Sequence, residues 1–325
     1  MKMNIFAAIR VLFVSILVLG LTNCTSRSDR AAGNLNQTAE QVDTRVQTNP
    51  GLPDNRGEGA AQNDADAIGF FSLGQRYDNG EGVTQNHAEA AKWYRKAADK
   101  GEVAAQFNLG VMYSKGDGVV QNYAEAAKWF RKAAEQGVSG AQIPLGLMYL
   151  KGEGVAQDYA EAAKWFHKAA DQDGADATIL FNLGQMYYNG AGVIQNYAEA
   201  AKWFRKAADK GSAAAQFNLG VMYAQGEGVV RNNAEAVKLY LKAAEQGDAD
   251  AQVNLGGVYF KGEGVTQDYI QSYMWFNLSS ISLKDKKGEA VAALRDTVAK
   301  KMTPQQIAEA QRLTRRWKPS KPTKS

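Results

Sequence analysis

Two histidines, one cysteine, and recurring basic–aromatic and glycine-rich runs are the residues of this 325-residue chain whose types could do chemistry. A histidine beside a nucleophile would serve acid–base work, and histidines grouped with cysteines would hold zinc. Neither pattern is complete. His87 stands where equivalent stretches carry Tyr123, Tyr159 and Tyr197, and His167 where they carry Arg95, Arg131 and Arg205. Both read as variants of exposed helix positions, and neither is expected to be a catalytic base. Cys24 is the only cysteine, which excludes an intramolecular disulfide and a zinc site of mixed nitrogen and sulfur ligands. No catalytic residue, metal or cofactor is expected.

The run Lys-Trp-Phe-Arg-Lys interleaves cations with rings, as grooves for single-stranded nucleic acid do. Yet Trp93, Trp129, Trp165, Trp203 and Trp275 fill one equivalent position, and Leu239 fills it in the remaining copy. Leucine has no ring to stack on a base, so packing is the expected role. The formal charge is only +4, and Lys2 and Arg10 of that lie in the leading segment. No nucleic-acid partner is expected. Turns such as Gly116-Asp117-Gly118 lack the Gly-Lys-Ser/Thr ending of a phosphate-binding loop and follow a helix, not a strand. Asp248, Asp250, Asp173 and Asp176 lack calcium-loop spacing.

The elements that must position these residues repeat. A Leu-Gly step recurs at Leu73, Leu109, Leu145, Leu183, Leu219 and Leu255, spaced 36, 36, 38, 36 and 36 residues apart. A fixed period in this range marks a solenoid of stacked units. In the second unit Ala105, Leu109, Met112 and Tyr113 fall at helical spacing. Gly110 costs about 1 kcal/mol against Ala in a helix, so its recurrence predicts close backbone approach between two helices. Gly116 is the expected left-handed terminus, and Gly118 completes a Gly-x-Gly turn. Asn122 then opens a second helix, with Glu125 placed to reach back in a capping box; the other units have Asn86/Glu89, Asp158/Glu161, Asn196/Glu199, Asn232/Glu235 and Asp268/Gln271. Ala126, Ala127, Ala133 and Ala134 give that helix a small-residue face, and Gly137 ends it. The predicted class is all-α.

The pattern A-x-x-x-L-G-x-x-Y, G-x-G-V, A-E-A-x-K-W-F-x-K-A-A resembles the Sel-like repeat family, a relative of the tetratricopeptide repeats. SYMWFNLSS and MTPQQIAEAQRLTRRW are similar to the helices that close such arrays. The resemblance implies a right-handed α/α superhelical solenoid of six helix–turn–helix repeats with a helical C-terminal cap, used for protein–protein interaction and not for a reaction. Some cysteine-rich members of that family are linked to hydrolysis of β-lactam or cell-wall compounds, but this chain lacks their spaced cysteines. A passive envelope spacer is the other alternative.

The resemblance also implies that first helices line the concave groove. Asn108, Asn182, Asn218 and Asn254 precede the Leu of that helix, with Ser72 and Pro144 in the other copies. Their amides offer donors and an acceptor together, which suits an extended peptide backbone; bridging between adjacent repeats is the competing role. Phe107, Phe181 and Phe217 precede three of them and either form apolar pockets beside the ladder or pack.

Residues 1–23 read as a signal peptide, with Lys2 and Arg10 ahead of and beside the apolar run Val11 to Leu21. Leu21-Thr22-Asn23-Cys24 resembles the lipobox of bacterial lipoproteins, which implies a diacylated Cys24 as mature N-terminus; Asn23 departs from the usual Gly or Ala. Thr25 in place of Asp implies the outer membrane, facing the periplasm or exposed on the surface, with secretion to the periplasm the alternative. Residues 24–64 read as a disordered tether, 65–276 as the repeats, 277–318 as capping helices and 319–325 as a disordered tail. From Ile281 onward 12 Lys and Arg oppose 4 Asp and Glu. A solvated face of the cap accounts for them, with contact to anionic lipid or an acidic partner as the alternative. The expected partners are a protein or peptide, and the membrane through the lipid anchor.

Overall fold

The structure, a computed structural model, describes residues 58–172, 175–283 and 285–320. The predicted signal segment, Cys24 and most of the tether lie outside these residues. Fourteen helices and no strand occur among the described residues. They alternate as first and second helices of six units: α1 (Glu58–Asn79) with α2 (His87–Asp99), α3 (Val103–Lys115) with α4 (Tyr123–Glu135), and α5 (Ser139–Lys151) with α6 (Tyr159–Ala170). Then come α7 (Ala177–Asn189) with α8 (Tyr197–Asp209), α9 (Ala213–Gln225) with α10 (Asn233–Glu245), and α11 (Ala249–Lys261) with α12 (Tyr269–Ser282). Two closing helices follow, α13 (Asp285–Ala299) and α14 (Pro304–Arg316), and both pack on α12. The first helix begins at Glu58, earlier than the expected start of the array at 65.

Glycine sets the ends. Gly80, Gly116, Gly152, Gly190, Gly226 and Gly262 take φ between 69° and 83° and stop each first helix, where a side chain would be strained. The second helices open as half of the predicted capping box. Asn122 Oδ1 accepts from the amides of Ala124 and Glu125 at 3.0 and 3.1 Å, Asp158 and Asp268 likewise accept from two amides, and Asn86, Asn196 and Asn232 accept from the glutamate amide alone. The glutamates do not complete the box. The capping residues' own N–H groups are already taken by the carbonyls of Tyr77, Tyr113, Tyr149, Tyr187, Tyr223 and Tyr259. Each glutamate reaches forward instead, to the lysine three residues on: Glu89–Lys92 at 2.5 Å, Glu235–Lys238 at 3.0 Å. The reciprocal box forms at Thr303 and Gln306, which opens α14.

The glycine after each Leu also differs from expectation. A Cβ on Gly110 would lie 2.5 Å from the ring of Phe130, not against a backbone. Gly74 meets Tyr94, Gly146 meets Phe166, Gly184 meets Phe204, Gly220 meets Tyr240 and Gly256 meets Phe276 in the same way. One aromatic ring from the second helix therefore seats on the bare glycine of its own first helix, and the core of each repeat is built around that contact.

Cohesion then passes from neighbour to neighbour. Trp129 packs with Tyr94, Ala97 and Leu109, and Trp165 with Phe130, Ala134 and Leu145, so each of these two joins its repeat to the one before. The last cluster runs from Val237 and Tyr240 through Leu255 and Trp275 to Leu313 and Trp317 of the cap. Ser320, assigned to a disordered tail from the sequence, donates its N–H to the Glu245 carbonyl at 2.7 Å.

Candidate binding face

From α3 on, the first helices turn their Ala, Gln, Leu and Gly positions inward and leave a narrow stripe more open, whereas in α1 Gly69 and Arg76 at the Ala and Met positions are exposed. That stripe holds the Asn position and the residue three further on: Ser72 and Gln75, Asn108 and Val111, Pro144 and Leu147, Asn182 and Gln185, Asn218 and Val221, Asn254 and Gly257; Ser72 is exposed, Asn182 and Gly257 are buried, and the others are half-buried. None of the twelve is charged, in a chain with 22% charged residues. The second helices do the opposite, presenting Glu and Lys at successive turns.

The asparagines are not equivalent. Asn182 is 7% exposed and belongs to the interior. Asn108, Asn218 and Asn254 are half-buried. Asn218 donates to the Ala214 carbonyl at 2.7 Å, within its own helix. The Asn108 side chain stands near the Tyr94 hydroxyl and that of Asn254 near the Tyr240 hydroxyl, each across a repeat boundary. Burial pushes both phenols above their ordinary range, with the Asp78 carboxylate adding to the effect at Tyr94. Phe107 and Phe181 are buried and Phe217 is half-buried. They pack beneath the stripe on second-helix rings, with centroids 6.0 Å from Phe130, 5.6 Å from Phe204 and 6.0 Å from Tyr240.

Two cross-repeat features escaped the sequence reading. Gln106, Gln142, Gln216 and Gln252 are buried and donate to the carbonyls of Ala98, Ala134, Ala208 and Ala244, each at 3.3 Å. The amides of Gln136, Gln172 and Gln246 donate in turn to the first three, at 2.9, 3.2 and 2.8 Å. A buried amide must be paired, so these chains fix the register of one repeat on the next. Second, Arg95, Arg131 and Arg205 donate to the hydroxyls of Tyr113, Tyr149 and Tyr223 in the following repeat. The Trp rings of the basic–aromatic runs are covered by lysines of their own helix, Lys132 lying 4.2 Å from the Trp129 centroid.

His167 is a half-buried member of the second set, not an exposed position. It meets Tyr187 Oη at 3.1 Å and lies edge-on to Trp203, and burial lowers its pKa. His87 is exposed and pairs through Nδ1 with Asp78 at 2.7 Å. Among the described residues no three His, Cys, Asp or Glu side chains form a group fit for a metal, and no helix is long and apolar enough to cross a membrane.

Six copies of the Sel1 repeat are matched in the chain, at residues 57–102, 103–138, 139–174, 180–212, 213–248 and 249–280. A solved Sel1 repeat protein from Oxalobacter formigenes is 32% identical over 77% of this chain and 98% of its own, with a TM-score of 0.57. A protective antigen present in uropathogenic Escherichia coli strains, displaying an SLR fold, is 28% identical over 88% of this chain and 94% of its own, with a TM-score of 0.35. No curated protein matches the chain significantly. With every helix–glycine–helix unit matched in turn and the rings, caps and glycines repeating in register, the chain belongs to the Sel1 repeat family.

Proposed function

We propose that this Sel1-repeat scaffold is a non-catalytic protein of the bacterial cell envelope that binds a protein or peptide along the face of its first helices. The observation that carries the reading is the uncharged stripe through all six repeats. A solvated surface with no partner tends to mix charges, as the second helices do, whereas the core of a recognition surface is depleted of charge. Asn108, Asn218 and Asn254 supply amides on that stripe, and Val111, Leu147 and Val221 supply apolar contact between them. Asn182 acts from below, as part of the floor. The stack is held by cross-repeat bonds before any ligand arrives, so little ordering cost falls on binding. Attachment to the outer membrane by lipid on Cys24 completes the proposal and rests on the lipobox resemblance alone.

Photo-crosslinking of the full-length chain in its native envelope tests the face. A photoreactive residue at Val111 or Val221 is expected to capture a discrete partner, and one at Lys128 on a second helix is not. Asn108→Ala with Asn218→Ala and Asn254→Ala should weaken capture at Val111. Equal capture at all three positions would move recognition off this face, and capture at none would leave a spacer.

A further inference from the structure

Each glycine turn ends in two adjacent residues that part ways. The first is valine in every repeat and is half-buried, Val119, Val155, Val193, Val229 and Val265 packing onto the core clusters. The second points out: Thr84, Val120, Ala156, Ile194, Val230 and Thr266 are all exposed. Val120, Ile194 and Val230 are 88%, 91% and 88% exposed, so they contribute nothing to the packing of their own chain. Each turn touches the start of the preceding repeat's second helix. A Cβ on Gly154 would lie 2.2 Å from the backbone of Tyr123, and one on Gly192 equally close to Tyr159, so the exposed residues form one ridge along an edge of the array. Tyr123, Tyr159 and Tyr197, at 42%, 42% and 37% exposure, flank it.

We infer that this ridge is a self-complementary surface on which a second copy of the chain docks antiparallel. An interface with two-fold symmetry must match itself after reversal. Reversed, this ridge sets threonine against threonine at both ends, Val120 against Val230, and the small Ala156 against the large Ile194 at the centre. The charges follow the same logic. Five turns carry an acid between their glycines, Glu81, Asp117, Glu153, Glu227 and Glu263, and only the fourth has Ala191. Reversal places the Ala191 turn against the Glu153 turn, so the central pair avoids two facing carboxylates. Arg231 replaces the glutamine that in the other five repeats caps its own first helix through a side-chain amide. It sits in the turn that reversal brings against Asp117 of the second copy. Glu227, in the same turn as Arg231, accepts from Tyr188 Oη of its own chain at 2.7 Å. Glu81 and Glu263 face each other only at the rim, where water and salt screen them.

Cysteine crosslinking in cells tests this, with two full-length copies carrying different tags and a thiol-reactive spacer. Val120→Cys on one copy is expected to link to Val230→Cys on the other, and Val120→Cys not to link to itself. The unaltered chain gives the background from Cys24. Ile194→Asp in both copies should cut the heterotypic yield about tenfold or more, the scale of one lost apolar contact at an interface centre. Circular dichroism of the purified variant checks that helix content is kept, and Val120→Asp read through Ala156→Cys and Ile194→Cys serves if it is not. Homotypic links as strong as heterotypic ones, no links above background, or a yield unmoved by both aspartates would overturn the antiparallel dimer.

Discussion

His167 occupies the place that arginine takes in the first, second and fourth repeats, between a tyrosine hydroxyl of the next repeat and a Trp ring. An arginine there keeps its charge at every accessible pH, whereas histidine titrates near neutrality. Burial depresses the folded-state pKa of His167 below its ordinary value. The unfolded chain, with a pKa of about 6.5, therefore takes up the proton first as pH falls. The stability due to neutral His167 is present above that value and is lost as pH drops through the folded pKa. His167→Arg is expected to flatten this dependence: between pH 7.5 and 5.5 its melting temperature should fall less than that of the unaltered chain. His87 is the same in both proteins, so the difference isolates His167, and parallel curves would refute the assignment. The residue scale is also where sequence was least informative. Gln106 and Asn108 are both amides two positions apart, and only the fold shows that the first is buried and bonded while the second faces the stripe. A trace of that role is present in the sequence. Where the first helix has Phe70 or Leu180 in place of the buried glutamine, the second helix ends in Lys100 or Lys210 in place of its glutamine partner.

At the scale of the element, the two glycines of each turn carry different constraints. Gly116 ends a helix at φ 83°, which the chain order alone predicts. Gly118 also has positive φ, 68°, but a Cβ there would stand 2.2 Å from the carbonyl carbon of His87 in the preceding repeat. That second constraint is invisible in sequence because it belongs to a neighbour some thirty residues away. It is legible only as the recurrence of the glycine. The ring–glycine contact at Gly110 is hidden for a similar reason: periodicity reports that space is needed, not which atoms fill it. Gly137 gives the comparison, with φ 92° and nothing within 4 Å of its Cβ position. Gly137→Ala should cost only the left-handed backbone penalty, about 1–2 kcal/mol. Gly118→Ala adds a clash of backbone on backbone and should cost about 3 kcal/mol or more. Urea midpoints of the two variants decide it, and equal losses would mean that the turn does not clasp the preceding repeat.

For the whole molecule, the decisive property is that cohesion is passed along and not gathered at a centre. After the first repeat, the Trp of each unit, or Leu239 in the fifth, packs on the unit before it, the glutamine and arginine bonds cross single boundaries, and the apolar clusters follow one another along the chain. Stability in such a stack is close to a sum of repeat and nearest-neighbour terms, with an end repeat weakest unless it is covered. At the C-terminal end the cover is α13 and α14, whose Leu313 and Trp317 join the cluster of Trp275 and Leu278, while Ser320 ties the chain back to Glu245. Ending the chain after Met302 would uncover α12 without touching the first repeats. Hydrogen exchange on that shortened chain should show α11 and α12 losing protection at least tenfold, while α3 and α4 keep theirs. A core shared by all repeats would instead lose protection uniformly, because removing any part would lower one global free energy. The same locality explains why the fold was readable from six Leu-Gly steps, since each unit repeats the full set of local instructions, whereas a binding face is a property of the assembled row and had to await the stack.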